Sequence, residues 1–204
     1  MKLPPSSAAL AITLVISAGL AACAASPAVQ YYSLSGAQSS PPTAPSGTPL
    51  LLEMAPLAVP ERLARPQLVL RQGTQMQVLD LHRWSAAFDR ELRDALTSGI
   101  TSRLGAVDVS SGGRLAGQPV YRVAVQVRQW DAVENSRIDS SMSWTIRRSD
   151  DSRNLACQWT QSEAVGPGVP ALAQGAQKLA ARAAQSLADT LAALDADPAA
   201  RCPG

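Results

Sequence analysis

The three cysteines are the residues whose chemical roles can be inferred most directly from this 204-residue sequence, and Cys23 is the most informative of them. It follows Leu-Ala-Ala, and an apolar run of about 13 residues at positions 8–20 lies before it. A bilayer-spanning helix needs about 20 apolar residues, so this run fits the core of an export signal instead. Small residues suit the peptidase that cleaves there, and the thiol is the nucleophile that receives a diacylglyceryl group. The pattern predicts a signal peptide over residues 1–22 and a lipidated Cys23; the alternative is a secretory signal with an incidental cysteine.

The other two cysteines, Cys157 and Cys202, would meet an oxidising environment after export, where a disulfide is permitted. A bridge between them is one interpretation, and a buried free Cys157 with a free thiol in the tail is the other. Cys202 lies four residues beyond Pro198, which ends the predicted last helix, and so has a reach of about 13 Å. The two can therefore meet only if that helix ends over the strand that contains Cys157.

Further patterns typical of catalysis or metal binding are not found in the sequence. His82 is the single histidine and has no second ligand residue nearby. Neither the Gly-x-Ser-x-Gly motif of a hydrolase nor the phosphate-binding loop of an ATPase occurs. Asp150 and Asp151 lie between two predicted strands, where such residues usually form a turn. We expect a binding or structural module rather than an enzyme, with no metal and no cofactor.

Chain length and net charge limit the number of domains and the kinds of partner that the protein can have. The sequence has 18 Lys and Arg residues against 16 Asp and Glu, a balance that argues against a nucleic-acid partner. Removing the signal leaves enough chain for one domain and too little for two. We expect residues 23–49 to form a lipidated tether, a short edge strand near Tyr31 and a linker rich in Pro and Ser. Residues 50–204 are expected to form a single domain.

Hydrophobic periodicity predicts the elements of that domain. Alternating residues predict strands at 51–59, 67–71, 75–79, 106–109, 121–128, 137–147 and 155–159, the last three forming an antiparallel meander. Apolar residues at three- and four-residue steps predict helices over 84–104 and 169–196. The expected fold is α+β: a mainly antiparallel sheet with two amphipathic helices packed on one face.

Three segments resemble the PqiC (YmbA) family of ABC-type transport auxiliary lipoproteins. They are Tyr-Tyr-Ser-Leu at 31–34, the stretch from Val-Pro to Arg-Pro-Gln-Leu-Val-Leu-Arg at 59–71, and His-Arg-Trp at 82–84, which opens the predicted first helix. The resemblance spans nearly the whole mature chain, and the middle segment is its most specific part. Two positions depart from the family pattern: Ala64 replaces an aspartate, and Ser85 replaces the usual alanine.

The resemblance implies an α+β, non-catalytic outer-membrane lipoprotein that assists an MCE/ABC-type intermembrane phospholipid transport system and supports envelope integrity. It implies an MCE-domain partner of the inner membrane or periplasm, with phospholipid contact and a homo-oligomer as further expectations. Acyl chains such as palmitate on Cys23 would hold the protein on the periplasmic face of the outer membrane. Ala24 agrees with that location, since an aspartate there commonly retains lipoproteins in the inner membrane. The alternatives are a structural assembly lipoprotein of a secretion or outer-membrane machine, and a periplasmic hydrolase.

Three arginines of the middle segment are candidates for contact with a partner or with lipid. Arg62, Arg65 and Arg71 bracket a bend that Pro60 and Pro66 make rigid. Guanidinium groups pair well with phosphate, so this bend could present charge to lipid headgroups or to a protein. The alternative is a structural corner whose arginine is paired inside the protein.

Overall fold

The structure is a computed structural model that describes residues 27–36, 49–113 and 117–202. The predicted signal peptide, Cys23 and most of the predicted linker lie outside the described residues. The elements in chain order are β1 (Gln30–Tyr32), β2 (Leu51–Met54), a 3-10 turn (Glu61–Leu63), β3 (Gln67–Gln72), β4 (Gln75–Trp84), α1 (Phe88–Leu104), β5 (Val107–Asp108), β6 (Val120–Val133), β7 (Arg137–Arg148), β8 (Asn154–Ala164) and α2 (Gly168–Ala196).

All eight strands belong to one sheet built around β6, the longest strand. On one side β6 pairs with β7, and β7 pairs with β8, both in antiparallel register. On the other side two shorter strands share its length: β2 lies beside residues 120–123, and β3 pairs at Leu70 with Ala132. Beyond β2 lies β5, and beyond β3 lie β4 and then β1, at the edge.

The α+β class is confirmed, and the sheet is mixed rather than purely antiparallel. The predicted meander of β6, β7 and β8 is present, and β3 pairs with β4 in antiparallel register. Four shorter pairings are parallel: β1 with β4, β2 with β5, β2 with β6, and β3 with β6. The sequence did not indicate these four, because parallel strands require long crossover connections, which the alternation of residues within a strand does not reveal.

The two faces of β6, β7 and β8 differ in what they contact. One face carries buried apolar side chains such as Val123, Met142 and Ile146, which belong to one core cluster with residues of α1 and α2. A Cβ atom built at Gly175 of α2 would lie 3.6 Å from the Ile138 side chain, so α2 packs directly on this face. We call it the covered face, and the opposite side of the same three strands the open face.

The start of the first helix differs from the sequence prediction. Residues 82–84 end β4 instead of opening a helix, because Trp84 pairs with Tyr32 of β1. The helix begins at Phe88 after Ala87, whose backbone is extended, and ends as predicted at Gly105, which adopts the left-handed conformation at φ 62°. Trp84 and Phe88 both pack in the core, as their four-residue spacing predicted. However, Trp84 belongs to β4 and Phe88 to α1.

Candidate functional site

The three segments that resemble the family meet in space. β1 pairs with the end of β4, so residues 31–34 lie beside residues 82–84. The amide of Trp84 donates to the Pro66 carbonyl at 2.7 Å, and the amide of Phe88 donates to the Arg65 carbonyl at 3.2 Å. We call this junction of residues 31–34, 59–71 and 82–84 the motif cluster; it is the candidate functional site.

Glu91 holds the first segment in place. Its carboxylate accepts the amide of Leu34 at 2.9 Å and the Ser33 hydroxyl at 3.2 Å, and the Ser85 hydroxyl also donates to it. Glu91 is only 7% exposed, and Leu34 is 2% exposed in the core. A carboxylate in the first turn of α1 also interacts favourably with the positive end of the helix dipole. The sequence analysis missed Glu91, although an acidic residue between the core residues Phe88 and Leu92 was a signal for it.

The second helix and β4 complete the attachment of this segment. Gln177 of α2 donates to the Ser33 carbonyl at 2.7 Å. Tyr32 and His82 share a hydrogen bond of 3.0 Å and stack at 5.9 Å between ring centroids. Burial raises the pKa of the Tyr32 phenol. His82 therefore packs against β1, and the segment that follows the predicted tether contacts both helices and the sheet edge.

Two of the three candidate arginines come together at a buried carboxylate. Asp131 of β6 lies 2.9 Å from the Arg71 guanidinium and 3.7 Å from that of Arg62, and Gln129 donates to it at 2.8 Å. Asp131 is 6% exposed, whereas the Arg62 and Arg71 side chains are 38% and 36% exposed. Two guanidinium groups thus share one carboxylate, and an excess positive charge faces solvent. Nothing in the local sequence pointed to Asp131, which lies 60 residues from Arg71.

Arg65 does not join this pair. Its carbonyl and that of Pro66 accept amides from Phe88 and Trp84, so the backbone here is a structural corner. The Arg65 Nε atom is buried without a hydrogen-bond partner, and the described part of the chain offers its guanidinium no ion pair. A contact of Arg62, Arg65 or Arg71 with a partner or lipid stays a prediction.

Aromatic rings close the inner side of the motif cluster. Trp84 is 4% exposed, as expected for a core residue, and Phe88 packs edge-on against Trp130 at 5.1 Å. A cavity of about 10 Å³ remains between these rings, Leu63 and Leu172. That volume holds about one water molecule and excludes an acyl chain.

The C-terminal end of the domain is fixed to β8. Helix α2 ends at Ala196, as predicted before Pro198. Cys157 and Cys202 are joined in a disulfide with 5.6 Å between their Cα atoms. Nearby, Asp195 accepts the Tyr121 hydroxyl at 2.7 Å and lies 3.6 Å from Arg148. Burial, and then the hydrogen bond to Asp195, raise the pKa of Tyr121.

The described residues contain no group of three or more His, Cys, Asp or Glu side chains arranged to hold a metal ion. Neither of the helices that they form combines the length and apolar character needed to cross a membrane.

Comparisons with known proteins identify the family. The chain is similar to a crystal structure of an uncharacterised protein, with a TM-score of 0.65 and 18% identity over 81% of this chain and 99% of that one. It also resembles a Xanthomonas campestris protein of family DUF330, with a TM-score of 0.57 and 16% identity over 78% and 91% of the two chains. At these identities the likeness shows the fold alone, and a comparison with curated protein sequences gave no match. A family model described as "ABC-type transport auxiliary lipoprotein component" matches residues 32–188. With most of its length matched, the chain belongs to the ABC-type transport auxiliary lipoprotein family, as the three segments of the motif cluster predicted.

Proposed function

We propose that the protein is a non-catalytic, lipid-anchored component on the periplasmic face of the outer membrane, where it assists an MCE/ABC-type intermembrane phospholipid transport system. The family match supports a transport auxiliary role. The observation that carries the proposal is the attachment of Ser33 and Leu34 to both helices, starting ten residues after Cys23.

The short tether limits how far the folded domain can lie from the lipid on Cys23. Cys23 lies seven residues before Gln30, so the chain between them spans at most about 23 Å. A lipid on Cys23 would therefore hold the folded domain close to the bilayer, because the segment that connects them is short. The cavity in the motif cluster is too small for an acyl chain, so the motif cluster is proposed as a contact surface rather than as a lipid-binding cavity.

Lipidation of Cys23 is tested by the Cys23→Ala variant. We expect wild-type protein to carry a diacylglyceryl group and an acyl chain such as palmitate by mass spectrometry, and to sediment with outer membranes in a density gradient. Each buried methylene contributes about 0.8 kcal/mol, so loss of the chains should release the protein or leave an unprocessed precursor. Ser26→Ala is the control and should behave as wild type. Normal processing and membrane fractionation of Cys23→Ala would disprove the anchor, and an inner-membrane position of the wild type would disprove the location.

The transport role is tested by co-purification. Wild-type protein extracted in mild detergent is expected to co-purify with an MCE-domain protein, identified by mass spectrometry. A subunit of a secretion or outer-membrane assembly machine in its place would support the alternative of a structural assembly lipoprotein. Recovery of neither, from cells that express an MCE-domain protein, would overturn the proposal.

The arginines of the motif cluster are the proposed contacts for this partner or for lipid headgroups. The two sources are separated by measuring binding to the MCE-domain protein and to vesicles of phosphatidylglycerol. Arg65→Gln is the most direct variant, because Arg65 forms no ion pair within the described residues, and Arg90→Gln on the exposed surface of α1 is its control. Equal binding by both variants in both assays would exclude a contact role for Arg65.

A further inference from the structure

The open face of β6, β7 and β8 is polar, and its side chains are exposed or half-buried among the described residues. Its side chains come from alternate residues and are mostly small or hydrogen-bonding: Ala124, Gln126, Gln129, Ser141, Ser143, Thr145, Asn154, Ala156, Gln158, Thr160 and Ser162. Most are exposed, and the rest are half-buried. The large hydrophobic residues exposed in the described chain are Tyr31, Leu81 and Val107, none of which lies on these three strands.

Arginines outnumber carboxylates on this face. Seven arginines lie on it or beside it, against four carboxylates: Arg62, Arg71, Arg122, Arg128, Arg137, Arg147 and Arg148, with Glu53, Asp131, Asp139 and Asp151. The whole sequence is nearly balanced, with 18 basic and 16 acidic residues. The open face therefore holds a local excess of positive charge.

Arg122 and Arg147 concentrate this charge at one end of the face. They are direct cross-strand partners, an arrangement in which like charges repel. Glu53 lies 3.6 Å from Arg122, whereas Arg147 has no ion-pair partner in the part of the chain that the structure describes. The two arginines line a groove of about 570 Å³, together with Arg148, the carboxylates Glu53 and Asp151, and the hydroxyl-bearing Thr145 and Ser149. Because Asp151 is paired with Arg148 and Arg153, Arg147 is left, within the described residues, as an unpaired positive charge in the groove.

Strand directions place this end away from the predicted lipid anchor. β1 is parallel to β4, β4 is antiparallel to β3, and β3 is parallel to β6, so β1 runs opposite to β6. The chain therefore enters β1 from the end of the sheet where β6 finishes at Val133. Through these registers Tyr31 lies level with Gln129, and Arg122 lies seven residues earlier in β6, about 23 Å away at roughly 3.3 Å per residue.

We propose that the open face is the docking surface for an acidic protein, with Arg122 and Arg147 at the centre of the contact. The inference deepens the proposed function, on which it rests for the position of the anchor. A bilayer is the poorer occupant because, among the described residues, the face carries no large apolar side chain to insert. Arginine forks pair with carboxylates in two parallel hydrogen bonds, and arginine is enriched at protein interfaces.

The first test places a photo-crosslinking residue at Gln126, in the middle of the open face, in cells of the native host. Gln174, exposed on α2, is the matched control position. We expect Gln126 to capture one envelope protein whose crosslinked peptide, identified by mass spectrometry, is rich in Asp and Glu. Gln174 should not capture it.

The second test reverses the charge of the arginine pair. R122E/R147E, combined with the crosslinker at Gln126, is expected to lower the crosslink yield on the order of tenfold or more, because like charges would then face each other. R90E/R201E changes the net charge equally at two exposed arginines outside the open face and should leave the yield unchanged. Circular dichroism melts verify that both variants fold.

The outcomes separate this inference from the proposed function. Capture of lipid or of a second copy of the chain at Gln126, absence of any crosslink there, or full yield with R122E/R147E would each overturn the inference. An acidic protein without an MCE domain would support the docking surface and count against the transport partner. An MCE-domain protein that co-purifies equally with wild type and R122E/R147E would support the transport role and overturn the docking surface.

Discussion

Two buried carboxylates, Glu91 and Asp131, join parts of the chain that are far apart in the sequence. Glu91 accepts the amide of Leu34 across 57 residues, and Asp131 accepts a guanidinium proton of Arg71 across 60. Both are less than a tenth exposed, so each relies on its partners to replace water. Single substitutions at these positions should therefore affect stability more than their surface neighbours do.

Glu91→Ala is expected to lower the free energy of unfolding by about 1–3 kcal/mol, because it leaves the buried Leu34 amide without an acceptor. Asp94→Ala on the same helix is the control, since the Asp94 side chain is 69% exposed and should change stability by less than about 0.5 kcal/mol. Urea unfolding measures both. Equal stability of the two variants would show that Glu91 does not hold the first segment.

Arg71→Ala should destabilise the protein more than Arg62→Ala does. Arg71 donates to Asp131 at 2.9 Å, whereas Arg62 approaches it only to 3.7 Å. Asp131→Ala removes both pairs and is expected to cost about 1–3 kcal/mol. In double-mutant cycles the coupling energy of Arg71 with Asp131 should exceed that of Arg62 with Asp131. The reverse order would show that the carboxylate belongs mainly to Arg62.

At the scale of elements, the contact between the two helices depends on the absence of a side chain. A Cβ atom at Gly99 of α1 would lie 2.6 Å from the Cβ of Ala184 in α2. The helices can approach this closely only because residue 99 is glycine. Helix propensity by itself favours alanine there by about 1 kcal/mol, so tertiary packing overrides the local preference.

Gly99→Ala is therefore expected to destabilise the protein by about 1–3 kcal/mol instead of stabilising it. The double variant G99A/A184G removes the opposing Cβ and should recover part of the loss. Gly36→Ala is the control, because nothing lies within 4 Å of the added atom. Thermal or urea unfolding ranks the stability of wild type and the three variants. A Gly99→Ala variant more stable than wild type would contradict the close approach.

At the scale of the whole molecule, both ends of the described chain are tied to the body of the domain. The first strand lies at the sheet edge, the two residues after it are bound by both helices, and the tail after α2 returns to β8 through Cys202.

The disulfide should contribute measurably to the attachment of the tail. The two cysteines are 45 residues apart, and the chain-entropy estimate for such a loop is roughly 4 kcal/mol. Protein taken from the periplasm is expected to show the Cys157–Cys202 bridge in non-reducing mass mapping, and Cys202→Ser should unfold at lower urea. A reductant should destabilise wild type but leave Cys202→Ser unchanged. Free thiols at both positions in the periplasmic protein would refute the bridge.

Periodicity in the sequence determined the local elements well. The alternation in β6, β7 and β8 and the apolar stripes of the two helices predicted their type, their approximate limits and the meander, because these patterns depend only on backbone geometry within each element. The three short segments predicted the family, and the family model that matches residues 32–188 confirms it.

Only the tertiary structure decided which strands pair in parallel, that residues 82–84 belong to β4, and which groups the buried carboxylates bind. These features depend on residues separated by dozens of positions, and no local periodicity encodes the direction or identity of a distant partner. The same holds for the arginines of the open face. Arg122 and Arg147 are unremarkable in sequence, and they become one concentrated charge because β6 and β7 align them across the sheet.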